Sequence, residues 1–141
     1  MSQLSIFISA NLWLVIAFLM ILLTYFIFES KQKNKQKKYI SSQEAIRLTN
    51  KEKAIFVDVR KESEYKLIHI IGAINFDTTS KSFKNIKRYQ SNPIIIYNER
   101  NTSIHSIYKQ FIENGFSSVK ILDGGMAQWK SESLPTKTSN G

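Results

Sequence analysis

The sequence predicts an α/β domain with a mainly parallel central sheet flanked by helices, preceded by a single N-terminal transmembrane helix. Three features lead there: the placement of charge, one long apolar run near the N-terminus, and short apolar runs alternating with amphipathic ones after it. The chain has 141 residues with 20 Lys+Arg against 11 Asp+Glu, a formal net charge of +9. None of these charges lies in residues 1–28, while Glu29 to Lys38 carries five lysines and one glutamate. The length allows one domain of ordinary size. There is no cysteine, which excludes disulfide frameworks, thiolate metal sites and any mechanism that needs a thiol from this chain. Two histidines far apart in sequence offer little to a catalytic metal.

Leu12 to Phe28 is apolar but for the hydroxyls of Thr24 and Tyr25 and the indole of Trp13. Its seventeen residues would cover about 26 Å as a helix, and extension back to Ile6 brings the reach to about 34 Å, bracketing a hydrocarbon core of about 30 Å. Twelve of the seventeen are Leu, Ile, Val or Phe, which favours insertion by roughly 4 to 7 kcal/mol at most. No basic residue precedes the run and no small-residue cleavage site follows it, so it is expected to stay as an anchor rather than be removed as a signal peptide. The lysines on its C-terminal side predict an N-terminus outside and a cytoplasmic domain. Lys31, Lys33, Lys35, Lys37 and Lys38 are assigned to the membrane surface, where anionic headgroups attract them. No aromatic platform interrupts them, so nucleic acid is not expected as a partner. The predicted organisation is an anchor over 1–29 (span about 6–28), a basic collar over 30–38, a domain over 39–136 and a flexible tail over 137–141.

Within the domain, Ser41 with Glu44 three residues on has the form of a capping box and opens a helix to about Asn50. Ala54 to Val59 is an almost continuous apolar run of strand length, as a strand buried on both faces would be. A short helix over Glu62 to Leu67, a short strand over Ala73 to Phe76 and a helix over Ser82 to Tyr89 follow. Pro93 to Tyr97 is the clearest strand, with proline at its first position where a missing N–H does least harm. A helix from Thr102 to Asn114 closed by Gly115, a strand over Val119 to Leu122 and a last helix over Met126 to Lys130 complete the pattern.

Three blocks of residues resemble the rhodanese-like domain family. Phe56-Val57-Asp58-Val59-Arg60, with Glu64-Tyr65, His69-Ile70 and Gly72-Ala73-Ile74-Asn75, is similar to the family's early signature. The strand Ile94 to Tyr97 and the loop and helix after it, ending at Asn114-Gly115-Phe116, form the second block. Leu122-Asp123-Gly124-Gly125-Met126-Ala127-Gln128-Trp129, with Leu134-Pro135, is similar to the late Gly-Gly-x-x-x-Trp signature. With the N-terminal span included, the chain resembles the membrane-anchored rhodanese-like proteins of the YibN type, and the resemblance implies the inner membrane of a bacterial cell. An active member of the family carries a cysteine as the first residue of the loop after the central strand and an arginine that closes it. A helix N-terminus and that cation lower the thiol pKa.

Counted without a gap from Tyr97 to Gly115, the resemblance puts Asn98 at the cysteine position, Ser103 at the arginine position and Asn101 near the usual loop glycine, with Glu99, Arg100 and Thr102 between. Asn98 is no nucleophile, so the resemblance implies no catalytic residue, no cofactor and no metal, and a domain that acts by binding, with membrane lipid and a protein of unknown identity as partners. The alternative is a sulfurtransferase-type enzyme using a thiol supplied by a partner. Glu99 is expected to oppose Arg100. Asp58 and Arg60 are expected to pair beneath the loop, His69 to be a hydrogen-bonded histidine at the edge of the core, Trp129 to pack on the sheet, and Gly124 and Gly125 to meet a backbone requirement. Two departures from the family pattern, Ile68 for glycine and Ile71 for proline, predict a locally rearranged turn with Ile68 at negative φ.

Overall fold

The computed structural model describes residues 3–139, and of residues 31–37 the backbone only. The tail residues Asn140 and Gly141, and the side chains of Lys31, Lys33, Lys35 and Lys37, lie outside the described residues. Two compact units result, 1–36 and 37–141. In the first, α1 (Gln3–Ala10) meets α2 (Leu12–Lys38) at Asn11, whose N–H donates to the Phe7 carbonyl at 3.1 Å. Leu12–Ser30 of α2 is long and apolar enough to cross a membrane, and none of it is buried within the protein. The helix runs on to Lys38, as a helix should where no proline or glycine stops it.

The second unit contains β1 (Tyr39–Ile40), α3 (Ser42–Glu52), β2 (Ile55–Asp58), α4 (Glu62–Leu67), β3 (His69–Ile70), β4 (Ile74–Asn75), β5 (Ile94–Tyr97), α5 (Ile104–Glu113), β6 (Val119–Leu122), α6 (Gly125–Ser131) and β7 (Thr136–Lys137). Five strands form a wholly parallel sheet in the order β1-β6-β5-β2-β4. At its centre all four residues of β5 are fully buried, because helices cover both faces of a parallel sheet. Alternation then divides the core. Ile95 and Tyr97 join Phe56, Leu122, Met126 and Trp129 on one face; Ile94 and Ile96 join Val57, Ile86, Phe111 and Ile121 on the other. Both apolar clusters lie entirely within the second unit. At the start of α3 the Ser41 hydroxyl accepts from the Glu44 N–H at 3.2 Å, the predicted N-cap.

Several sequence expectations are corrected. Ser82 to Tyr89 is not an α-helix but a series of turns ending in a 3-10 turn at Lys87–Tyr89. Phe83, Ile86 and Tyr89 recur every third residue, a spacing that i→i+3 turns satisfy as well as a helix does, and Ile86 and Tyr89 each donate to the carbonyl three residues back. Helix α5 starts at Ile104 rather than Thr102 because Ser103 sits at φ 58, outside the helical region. Tyr39–Ile40, for which the sequence pattern predicts no element, is an edge strand beside β6. Residues 137–139 of the expected flexible tail are tied down: β7 pairs antiparallel with β3, and the Ser139 N–H donates to the Lys66 carbonyl at 2.9 Å.

Candidate functional site

The site is the loop Asn98 to Ser103, delivered at the C-terminal end of β5, where open α/β sheets place their ligands. Its first residue closes it upon itself. The Asn98 Oδ1 accepts from the Asn101 N–H and its Nδ2 donates to the Thr102 carbonyl, each at 2.5 Å. A carboxamide can do this because it carries donor and acceptor at one end. Asn101 and Ser103 both have positive φ, at 62 and 58, which gives the loop its tight return; asparagine tolerates that region better than most residues. Asn101 thus does without glycine what the resemblance assigns to glycine there. Its Oδ1 is buried with no hydrogen-bond partner.

The loop is stitched to α6 by its own carbonyls: Asn98 and Glu99 accept from the N–H groups of Met126 and Ala127 at 2.8 and 3.0 Å. This brings backbone against backbone at Gly125, where a Cβ would stand 2.4 Å from the Asn98 carbonyl oxygen. Gly124 and Gly125 have φ of 73 and 59, so Gly125 meets both a left-handed conformation and a close approach.

Beneath the loop lies a line of charges. Arg60, 8% exposed, donates from Nε and Nη2 to the fully buried Asp58 carboxylate at 3.0 and 2.7 Å, from Nη2 to the Ile68 carbonyl at 2.6 Å, and from Nη1 to Glu99 at 3.0 Å. Burial disfavours the guanidinium charge, but the hydrogen bonds and charge of Asp58 more than offset it, and the Arg60 pKa stands above its ordinary value. Lys130 donates to the other Glu99 oxygen at 3.1 Å. The Tyr97 hydroxyl accepts from the Ile70 N–H at 3.1 Å, and burial, reinforced by Asp58, pushes its phenol far up.

The expected pair Asp58–Arg60 is therefore present. His69 is buried, donates from Nδ1 to the Tyr65 carbonyl at 2.8 Å and stacks on the Tyr65 ring at 4.0 Å. Trp129 packs edge-on against Phe56 at 5.3 Å and donates from Nε1 to the Pro135 carbonyl at 3.0 Å. Ile68 has φ −162, a negative φ as expected. Glu99 corrects the expectation: it faces Arg60 and Lys130, and Arg100 is exposed. Lys130 lies 31 residues away, too far for any local pattern to reveal. Lys38, assigned to the membrane surface, instead approaches its own domain, its ammonium 2.7 Å from His105 Nδ1 and 4.0 Å from the Tyr108 ring centre; partial burial lowers its pKa. Among the described residues no three His, Cys, Asp or Glu gather as metal ligands.

The chain belongs to the rhodanese-like domain family, which it matches over residues 41–132. It is 27% identical to the uncharacterized protein YibN of Escherichia coli (strain K12), with 96% of each chain covered. It is 30% identical to the thiosulfate sulfurtransferase GlpE of Coxiella burnetii (strain RSA 331 / Henzerling II), covering 73% of this chain and 95% of that one. The crystal structure of BH2092 protein from Bacillus halodurans superposes with a TM-score of 0.69 at 24% identity, covering 82% and 87% of the two chains. The domain is thus related to sulfurtransferases, and the GlpE comparison shows that such a domain exists as a protein by itself.

Proposed function

We propose that this protein is a catalytically inactive rhodanese-like domain, tethered by one helix to the cytoplasmic face of the inner membrane, that acts by binding another protein. The observation that carries the reading is the state of the loop. Where the family resemblance calls for a thiolate, Asn98 spends its amide on the loop's own backbone, and the cations Arg60 and Lys130 beside the loop are both paired with Glu99. The same features speak against a thiol supplied in trans, because the amide stands where its sulfur would have to sit. What the loop offers instead is a fixed shape with exposed Arg100 on it. Leu67 and Ile71, among the large apolar side chains exposed in the domain, flank Ile68, whose carbonyl is bound to the same Arg60 as Glu99.

The test is a thiosulfate–cyanide assay on residues 39–141, paired with crosslinking in intact membranes. No turnover above a heat-treated control is expected, together with a crosslinked protein that Arg100→Glu and Leu67→Asp remove. Asn98→Cys alone should remain nearly inactive: with Ser103 uncharged and Glu99 adjacent, its thiol should keep a pKa close to about 8.5. Turnover by the unaltered domain would overturn the reading.

A further inference from the structure

A second surface lies away from the loop sequence, in the turns between β4 and β5. From Thr78 to Asn98 there is no acidic residue, while Lys81, Lys84, Lys87 and Arg88 supply four positive charges. All four are exposed, and the reason is packing. Ile86 is 1% exposed, and Phe83 turns its ring against Phe76, Phe111 and Phe116 at 4.9, 5.1 and 5.8 Å. With the apolar residues of this short segment held in the core, its cations have only the outside to occupy. Lys81, Lys84 and Lys87 line one cleft of about 430 Å³ together with Phe83, Asn114 and Phe116, and no carboxylate lines it. Among the described residues none of the four cations has a carboxylate within 4.0 Å; Arg88 stacks on Tyr89 at 4.8 Å.

We propose that this basic cleft is a docking surface for the phosphate headgroups of anionic lipid. A concave surface with several unpaired lysines suits a ligand of repeated single negative charges, and a membrane surface presents them as a dense array. The same chain carries a helix apolar and long enough to cross a membrane, so a tethered domain would meet that surface at high effective concentration. Nucleic acid is disfavoured because Phe83 and Phe116 pack against the core and the Tyr89 ring is covered by Arg88, which leaves no free platform for bases. The inference is independent of the loop's inactivity.

The domain of residues 39–141 holds both apolar clusters, and the GlpE relative consists of little more than the matching segment, so the domain is tested alone. Co-sedimentation is measured with vesicles of phosphatidylcholine containing 30% phosphatidylglycerol, as a probe composition of about one charge in three lipids. We expect binding at least about tenfold tighter than to phosphatidylcholine alone, and loss of that gain in K81Q/K84Q/K87Q and at high salt. The variant K51Q/K109Q/K137Q, with the same change of charge at exposed positions elsewhere, should retain it. Equal loss in both variants, no preference for anionic vesicles, displacement by millimolar inorganic phosphate, or binding to an acidic peptide or DNA but not to vesicles would each overturn the proposal.

Discussion

Ile68 occupies the place where the family resemblance calls for glycine, and it shows how one residue is accommodated rather than tolerated. A β-branched side chain in the left-handed region would cost about 1 to 2 kcal/mol. The backbone avoids this by holding Ile68 extended, at φ −162 and ψ 133, and the left-handed turn falls later, at Gly72 with φ 78. In that conformation the side chain packs against the core and the carbonyl accepts from Arg60. Ile68→Gly should therefore destabilise the domain, by about 1 to 3 kcal/mol, from lost packing and from the greater freedom of glycine in the unfolded chain. Urea unfolding of the two proteins decides it: an unchanged or higher midpoint for glycine would mean that the Ile68 side chain adds no packing to the core. The loop is a similar case, legible in its residue types but not in its bonding. That Asn98 cannot act as a nucleophile follows from its name alone. That its amide fills the loop does not, because it depends on the positive φ of Asn101 and Ser103, which bring the backbone groups back within reach.

Elements were legible in the sequence where a single period dominated. Strands β2, β5 and β6 announce themselves as apolar runs because both faces of the sheet are covered. Helix α3 is marked by its cap. The spacing of three over Ser82 to Tyr89 fits two geometries; β1, β3 and β7 carry no period in their two residues, and β4, equally short, is marked only by the apolar Ala73 and Phe76 on either side of it. Strand β7 is the one whose removal is most informative. Its pairing with His69 and Ile70 and the bond from Ser139 to Lys66 tie the C-terminal segment across α4 and β3. Trp129 bonds the Pro135 carbonyl just before it. A chain ending at Pro135 should keep the parallel sheet but lose about 1 to 2 kcal/mol in backbone hydrogen bonds, lowering Tm by about 5 to 10 °C for a domain of this size. Circular dichroism should show unchanged secondary structure at 20 °C and the earlier transition on heating; an identical Tm would show the segment to be unattached in solution.

For the whole molecule, two consequences follow from where charge is placed. The first is a dependence of stability on alkaline pH. Tyr97 is fully buried and burial raises its phenol pKa well above the ordinary value near about 10. Below that value the hydroxyl is protonated in both states and this contribution to stability is complete. Above it the unfolded chain ionises while the folded one does not, so stability falls by up to about 1.4 kcal/mol per pH unit. Tyr97→Phe should flatten the fall between about pH 10 and 11 while lowering stability at pH 8 through the lost bond to the Ile70 N–H; an unchanged alkaline slope would assign it to other groups. The second consequence is orientation. No Lys or Arg lies in residues 1–28, and five lysines crowd the ten residues that follow. Translocating those five would oppose the bias that keeps Lys and Arg on the cytoplasmic side, whereas the segment before Leu12, without Lys or Arg, meets no such bias. A fluorescent protein that matures only in the cytoplasm, fused after Gly141, should therefore be bright, and an alkaline phosphatase at the same place inactive. Replacing Lys31, Lys33, Lys35, Lys37 and Lys38 by glutamine while placing three lysines ahead of Leu12 should invert the pair of signals. Phosphatase activity in the unaltered chain would place the domain outside and remove the cytoplasmic leaflet as its surface.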